Sequence, residues 1–176
     1  MTMPPISPRL AYREMVPGDL DDMARLLGDP AVMTYYPRPK TRDKAAGWID
    51  WNRRLYLENG YGLWLLTTPG GEFVGDCGLT PQPVDGVTEL EVGYHVLPGW
   101  QNRGLATEAA AASRDFARTV LGASRLVAII RPDNLPSQRV ATKIGLRPEK
   151  RARVRGRDTI VFAAALDTPP GAQFAQ

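Results

Sequence analysis

The fold of this chain is decided by one stretch, Val92-Gly-Tyr-His-Val-Leu-Pro-Gly-Trp-Gln-Asn-Arg-Gly-Leu-Ala-Thr-Glu108. Its pattern predicts a strand, a glycine-bearing loop and a helix, in that order. The first turn of a helix leaves backbone N–H groups without partners and carries a partial positive charge, so an anion is well placed there. Arg103 adds a full positive charge, and Gly104 and Ala106 are small enough for a diphosphate to approach the backbone. The stretch therefore predicts a pyrophosphate site at residues 101–106.

Two common phosphate loops do not fit this stretch. Gly99 and Gly104 have the spacing of a Walker A loop, but Leu105-Ala106 stands where that loop requires Lys-Ser/Thr. The Gly-x-Gly-x-x-Gly of a dinucleotide-binding fold is absent as well. The pattern that does match is Gln/Arg-x-x-Gly-x-Gly/Ala, as Gln101-Asn-Arg-Gly104-Leu-Ala106.

A second block lies one helix and one strand further along, Arg131-Pro-Asp-Asn134-Leu-Pro-Ser137-Gln-Arg-Val-Ala-Thr-Lys-Ile-Gly145-Leu. With both blocks, the chain from Arg9 to Leu166 resembles the GNAT superfamily of N-acetyltransferases, and in particular the ribosomal-protein N-terminal acetyltransferase branch. The resemblance implies an α/β (α+β) fold, with a mixed, mostly antiparallel sheet of about seven strands and helices on both sides. It also implies acetyl-CoA as the acetyl donor.

The remaining pattern is compatible with that fold. Glycine and proline positions and apolar periodicity predict strands at 9–15, 63–68, 73–80, 89–97, 126–130, 146–154 and 158–166, helices at 20–27, 42–59, 104–121 and 135–144, and a loop at 81–87.

Length and composition limit the other possibilities. At 176 residues and 43% hydrophobic, we expect a single acyl-CoA N-acyltransferase domain over 1–176, with a core at about 9–166 and a loose tail at 167–176. The 22 basic and 19 acidic side chains give no support to a nucleic-acid partner. One cysteine and one histidine predict neither disulfides nor a metal site. Without a signal sequence or a long apolar run, we expect a cytoplasmic protein that does not enter the membrane.

The resemblance assigns the cofactor contacts to three places. The backbone of the strand end, at His95, Val96 and Leu97, would pair with the pantetheine arm as a neighbouring strand does. The amide of Asn134 would hold a pantetheine carbonyl, although an Asn there is also a good helix cap. The residues of the pyrophosphate loop are Gln101, Asn102, Arg103, Gly104, Leu105, Ala106 and Thr107.

Two residues are candidates for the catalytic chemistry. The resemblance gives Ser137 the role of general acid toward the departing thiolate, and makes it a cofactor contact as well; a structural serine is the alternative. Glu91 is our candidate for general base and for amine contact, because a carboxylate on an apolar strand has its pKa raised toward neutrality. Glu89 and His95 share its strand face and remain alternatives. Cys77, on an apolar strand without a nearby cation, is disfavoured as a nucleophile, so direct transfer in a ternary complex is expected.

The acceptor side is less defined. Tyr35 and Trp48 are predicted acceptor contacts in the N-terminal helical region, where aromatic residues also serve as core. Charge on the last predicted hairpin comes from arginines at odd positions, Arg147, Arg151, Arg153, Arg155 and Arg157. We expect a protein N-terminus or a small-molecule amine as acceptor and leave a homodimer open. The alternative function is a silent CoA-binding sensor or a nucleic-acid-associated protein of the same fold.

Overall fold

The computed structural model describes residues 4–167, so the predicted tail lies outside them from residue 168 onward. The strands are β1 Ala11–Arg13, β2 Leu63–Thr67, β3 Phe73–Val84, β4 Val87–Val96, β5 Arg125–Ile130, β6 Arg147–Val154 and β7 Arg157–Ala165. The helices are α1 Leu20–Gly28, α2 Arg42–Asn59, α3 Leu105–Thr119 and α4 Leu135–Lys143.

The seven strands form one sheet in the order β1-β2-β3-β4-β5-β7-β6. Every neighbouring pair is antiparallel except β4 and β5, which are parallel. The expected mixed, mostly antiparallel sheet of seven strands is therefore confirmed. No helix within residues 4–167 is long and apolar enough to cross a membrane.

Strand β5 is buried on both faces, as its continuous apolar run predicts. Leu126, Ala128 and Ile130 point into the main core, whereas Val127 packs in a smaller cluster on the opposite face with Val161 and its neighbours. The sheet thus carries apolar packing on both faces at the point where β4 and β5 meet.

The two long helices form where their sequence signals predict. Helix α2 begins after Thr41, whose Oγ1 accepts a hydrogen bond from the Lys44 backbone N–H at 3.3 Å, and it ends at Gly60 with a positive φ of 75°. Helix α3 buries Ala109, Phe116 and other small or apolar side chains on one stripe, and the Phe116 ring meets Trp64 of β2 edge-on at 5.0 Å.

The predicted loop at 81–87 was wrong. Strand β3 continues through Pro81 and Pro83 to Val84, and the turn to β4 is Asp85-Gly86, with φ values of 48° and 80°. The pairing of β2 with β3 stops at Gly78, and no other strand within residues 4–167 pairs with that side of β3 beyond it. A proline can therefore occupy the strand without removing a hydrogen bond of the ladder.

Candidate functional site

Strands β4 and β5 are joined at one point and open beyond it. Among the described residues their ladder has one register pair, Glu91 with Val127. From Val92 to Val96, β4 is paired with β3 alone. Its other edge presents backbone N–H and C=O groups that an extended chain-like ligand can pair with.

The loop after β4 leads directly into helix α3. Gly104, at φ 77°, is the N-cap residue of α3, and Asn102 also has a positive φ, of 59°. The Gln101 side chain bends back to the strand, where its Nε2 donates to the Val96 carbonyl at 2.9 Å. The loop is thereby tied to the strand end. No side chain of residues 4–167 caps the start of α3, so its first N–H groups are available to an anion.

Arg9, from the N-terminal segment, is hydrogen-bonded to this loop and to the first turns of α3. Arg9 donates from Nη1 to the Arg103 carbonyl at 2.9 Å and forms an ion pair with Glu108 at 2.6 Å. The Arg103 guanidinium lies over the Trp100 ring, 5.0 Å from its centroid. The structure therefore places the Arg103 side chain against Trp100 rather than on the wall of the neighbouring cleft.

That cleft, here called the loop cleft, has a volume of about 440 Å³. The predicted cofactor residues on its wall are His95, Val96, Gln101, Asn102, Gly104, Leu105, Ala106, Thr107, Asn134 and Ser137. Leu97 and Arg103 are not among the residues that line it. Two cationic residues of α4 that sequence reasoning missed, Arg139 and Lys143, also line it. Both suit a ligand that carries phosphate groups.

Asn134 and Ser137 stand where α4 begins. The Asn134 Oδ1 accepts from the Ser137 backbone N–H at 3.2 Å, so the Asn side chain caps the helix and keeps its amide N–H groups for another partner. The Tyr94 hydroxyl of β4 donates to the Ser137 carbonyl at 2.8 Å, and burial raises the pKa of Tyr94. Tyr94 was missed because it lies 43 residues from Ser137 in the chain.

A second cavity, here called the aromatic cavity, has a volume of about 350 Å³. It meets the loop cleft at the residues that line both, Tyr35, Tyr36, Tyr94, His95, Asn134 and Ser137. Its aromatic wall consists of Tyr35, Tyr36, Trp48 and Trp51. The two predicted acceptor contacts, Tyr35 and Trp48, thus lie on one cavity. Trp48 is also anchored from below, since its Nε1 donates to the Asp76 carboxylate at 3.1 Å.

Glu91 lies on the wall of the aromatic cavity. Burial raises the pKa of its carboxyl to about 7, although Arg155, the Ile129 backbone and Thr80 each lower it in part. The Thr80 Oγ1 donates to the Glu91 carboxylate at 3.4 Å. A carboxyl that titrates near neutral pH is suited to proton transfer under physiological conditions.

The two alternatives to Glu91 are engaged elsewhere. The Glu89 carboxylate pairs with Arg125 at 3.0 Å and does not line the cavity. His95 uses both ring nitrogens, because Nδ1 bonds the fully buried Asp76 at 2.7 Å and Nε2 bonds the Tyr36 hydroxyl at 2.7 Å. Glu91 and His95 both line the aromatic cavity, but both ring nitrogens of His95 already have partners, so Glu91 remains the preferred candidate.

Asp76 was missed at the sequence level, although its position carried a signal. An aspartate within the apolar run of β3 is costly to bury without partners, so it indicates a hydrogen-bonded group inside the fold. Its neighbour Cys77 is fully buried, and burial raises the pKa of the thiol to about 12. Cys77 is therefore not poised as a nucleophile.

A polar chain runs along the cavity from Glu91 to the β6–β7 turn. Thr80 accepts from the Gln82 amide at 3.1 Å, and Gln82 in turn accepts from the Arg155 guanidinium at 2.5 Å. Arg155 and Arg157 line the cavity, whereas Arg147, Arg151 and Arg153 do not. Within the described residues, no group of three or more His, Cys, Asp or Glu side chains is arranged to hold a metal ion.

Comparison with known proteins agrees with this geometry. Residues 9–147 match the family described as the acetyltransferase (GNAT) domain. The uncharacterized protein YkkB of Bacillus subtilis is 37% identical over 148 residues, which cover 80% of this chain and 85% of that protein.

Solved structures share the fold over nearly the whole chain. The acetyltransferase from Agrobacterium tumefaciens superimposes with a TM-score of 0.81 at 25% identity, covering 93% of this chain and 95% of that one. RimJ from Mycobacterium smegmatis, solved with a CoA disulfide, gives a TM-score of 0.73 at 21% identity, over 92% of this chain and 84% of its own. Neighbours at 13% and 15% identity include an aminoglycoside and a spermidine acetyltransferase, so the fold alone does not select an acceptor.

Proposed function

The chain belongs to the acetyltransferase (GNAT) family, and we propose that it transfers the acetyl group of acetyl-CoA to a primary amine by direct attack within a ternary complex. Acetyl transfer from acetyl-CoA to amines is the activity that the family membership supports. The observation that carries the finer proposal is the meeting of two cavities at Ser137, one below the loop of α3 and one that contains Glu91. Donor and acceptor would enter from opposite sides.

In this proposal the donor lies along the opening between β4 and β5. The N–H groups at the start of α3 bind the pyrophosphate, and Gly104 lets it approach the backbone. The backbone of His95, Val96 and Leu97 pairs with the pantetheine arm, and the free amide N–H groups of Asn134 bind one of its carbonyls. Asn102, Arg103, Leu105, Ala106 and Thr107 contribute through the same loop and first turn.

The chemistry needs one proton acceptor and one proton donor. Glu91 takes a proton from the ammonium group of the acceptor, and the neutral amine attacks the thioester carbonyl. The new C–N bond forms as the C–S bond breaks, and Ser137 donates its hydroxyl proton to the departing thiolate. The second proton lost from the attacking nitrogen restores the Ser137 hydroxyl. The sum is one thioester and one ammonium ion converted into one amide, one free thiol and one proton. The aligned carbonyl and amine supply the remaining rate enhancement through proximity.

The proposal treats the chain as one acyltransferase domain with its core at about 9–166. Its test is an acceptor screen in which the release of CoA thiol is followed over amino acids, polyamines, aminoglycosides and peptides with free N-termini. We expect acetyl-CoA-dependent thiol release with at least one amine class. Binding of acetyl-CoA without turnover on any acceptor would contradict the enzyme and favour the CoA-binding sensor.

A further inference from the structure

The aromatic cavity carries more positive charge than its own acidic groups balance. Lys40, Arg155 and Arg157 line it, and none of the ion pairs among residues 4–167 includes any of the three. A fourth cation on its wall, Arg131, is already paired with the exposed Asp133 at 3.2 Å. Within the cavity the acidic wall residue is Glu91, at the far end of the polar chain.

Two of these cations, Lys40 and Arg155, are close enough for one to affect the other. The pKa of Lys40 is lowered by burial and by the neighbouring charges of Lys44 and Arg155. Its ammonium group also lies over the Trp48 ring, 5.1 Å from the centroid. A cluster of like charges beside an apolar wall is unfavourable until an anion joins it.

Arg155 has a backbone conformation that arginine rarely adopts. Arg155 and Gly156 form the two-residue turn between β6 and β7, with φ values of 51° and 73°. Such a turn favours Asn-Gly, and a long side chain at the first position is strained. The turn alone therefore does not explain an arginine.

The contacts of the Arg155 side chain give a better reason for an arginine at this turn. One N–H group of its guanidinium donates to Gln82, a buried residue of β3. Its other donors make no hydrogen bond to residues 4–167. A guanidinium that is fixed at one corner and free along its fork presents the geometry that binds a carboxylate or phosphate.

From this arrangement we propose that the acceptor is a small amine that also carries an anionic group, a carboxylate or phosphonate, which binds Arg155 with Lys40 and Arg157 beside it. The proposal rests on the proposed function and names its substrate class. The amine lies at Glu91 and reacts as described above, and the anionic group lies at the other end of the Thr80–Gln82 chain and stays unchanged. A cavity of about 350 Å³ is at the small end for ligand sites and fits a molecule of amino-acid size.

The same arrangement disfavours other amines. A polyamine would bring further positive charge to three cations that form no ion pair within residues 4–167. A peptide N-terminus lacks a carboxylate next to its amine and must extend past the aromatic wall. The free α-amino acid is the simplest molecule that matches both ends.

The first test compares acceptors that differ in this group alone. Alanine, methionine and phenylalanine are each assayed beside their carboxamides, with a tripeptide of the same first residue and with spermidine. Amidation lowers the pKa of the adjacent amine, so intrinsic reactivity would favour the amide. We expect the reverse, with kcat/KM at least tenfold higher for the amino acid in the best pair. Equal values, or a preference for peptide or polyamine, would overturn the proposal while the thiol release would still uphold acetyl transfer.

The second test changes the residue. Arg155→Asn removes the guanidinium and its hydrogen bond to Gln82, and it installs the residue that the turn favours. Because the relief of turn strain offsets the lost hydrogen bond, we expect the melting temperature to stay near that of the wild type. The KM for the amino acid should rise at least tenfold, the advantage over the carboxamide should vanish, and the KM for acetyl-CoA should not change. Arg151→Asn, on the same hairpin but off the cavity, is the matched control and should keep the wild-type ratio. An unchanged ratio in Arg155→Asn would overturn the proposal.

A binding measurement decides the same question without turnover. The N-acetylated amino acid and its carboxamide are titrated into the protein by calorimetry. We expect the carboxylate form to bind the wild type and to lose at least tenfold in affinity with Arg155→Asn. Equal affinity of both forms for the wild type would contradict the anion site, even if no acceptor in the first test were acetylated.

Discussion

The raised pKa of Glu91 predicts how the reaction rate depends on pH. Since burial raises the pKa of its carboxyl to about 7, the fraction that can accept a proton rises through neutral pH. We predict that kcat/KM of the wild type increases through a limb near pH 7 and that Glu91→Gln removes this limb. Glu89→Gln is the control, because Glu89 is paired with Arg125 and should leave the limb in place. A pH–rate profile that keeps the limb in Glu91→Gln would transfer the role to His95 or to the substrate.

The same raised pKa predicts an effect on stability. Between about pH 4.5 and 7 the folded chain binds more protons at Glu91 than the unfolded chain, so this group lowers the free energy of unfolding as pH rises. Glu91→Gln should therefore increase the free energy of unfolding at pH 8 by about 1–3 kcal/mol, a range reduced from the full shift because the side chain is only half-buried. At pH 4 the gain should shrink toward zero. Urea unfolding at both pH values measures it, and a loss of stability at pH 8 would contradict the raised pKa.

Ser137 and Tyr94 are close together at the meeting of the two cavities, so their roles need separate variants. If Ser137 donates the proton to the thiolate, Ser137→Ala should lower kcat about 10- to 100-fold and leave the affinity for acetyl-CoA within a factor of about two. Tyr94→Phe, which removes the hydroxyl bound to the Ser137 carbonyl, tests whether the effect comes from displacement of α4 instead. Equal losses of kcat and of affinity in Ser137→Ala would make Ser137 a binding residue only.

The sequence predicted individual site residues where local pattern was enough and missed those that depend on distant contacts. Glu91 stood out as a carboxylate on an apolar strand, and it lies on the cavity. Gln82 and Arg155 form a hydrogen bond although 73 residues separate them in the chain. A local sequence pattern does not predict such a contact. The roles of the predicted cofactor residues stay predictions until they are tested by substitution.

At the scale of elements, we expect a substitution in the loop between β4 and α3 to cause the largest loss of donor binding. A side chain at Gly104 would adopt a strained positive φ of 77°, and its Cβ would lie 3.4 Å from the Arg9 guanidinium that supports the loop. We predict that Gly104→Val weakens acetyl-CoA binding at least tenfold by calorimetry. Gly99→Ala is the control in the same segment, because a Cβ there meets nothing within 4 Å. Unchanged affinity in Gly104→Val would overturn the assignment of the pyrophosphate loop.

Elements with strong local signals were predicted closely, and one with a contrary signal was not. Helix α2 has its cap at Thr41 and its stop at Gly60, and both signals appear in the structure. The prolines of β3 indicated a loop because their effect depends on whether a neighbouring strand needs the missing N–H. That information belongs to the sheet and is not contained in the segment itself.

On the scale of the molecule, the order of the strands was beyond local reasoning. Their number and mixed pairing were expected from the resemblance, but the position of β7 between β5 and β6 arises from the final hairpin folding back onto β5. That arrangement brings the β6–β7 turn, with Arg155, over the cavity formed by β3 and β4. The aromatic cavity therefore depends on the last two strands, β6 and β7, whereas the loop cleft depends on β4 and α3 in the middle of the chain.

The sheet consists of two antiparallel parts, one formed by β1, β2, β3 and β4 and the other by β5, β7 and β6. The register pair of Glu91 with Val127 joins them. A donor bound in the opening would contact both parts and bind only the folded chain. At a ligand concentration of 100 times Kd it should raise the free energy of unfolding by about 2.7 kcal/mol. For a chain of 176 residues this corresponds to a rise in melting temperature of about 5–11 °C. Thermal unfolding with and without acetyl-CoA measures the shift. A tenfold loss of affinity in Gly104→Val leaves the same ligand concentration at about 10 times Kd, so the stabilisation should fall to about 1.4 kcal/mol or less. A wild-type melting temperature that does not respond to acetyl-CoA would mean that the opening between β4 and β5 is not a donor site.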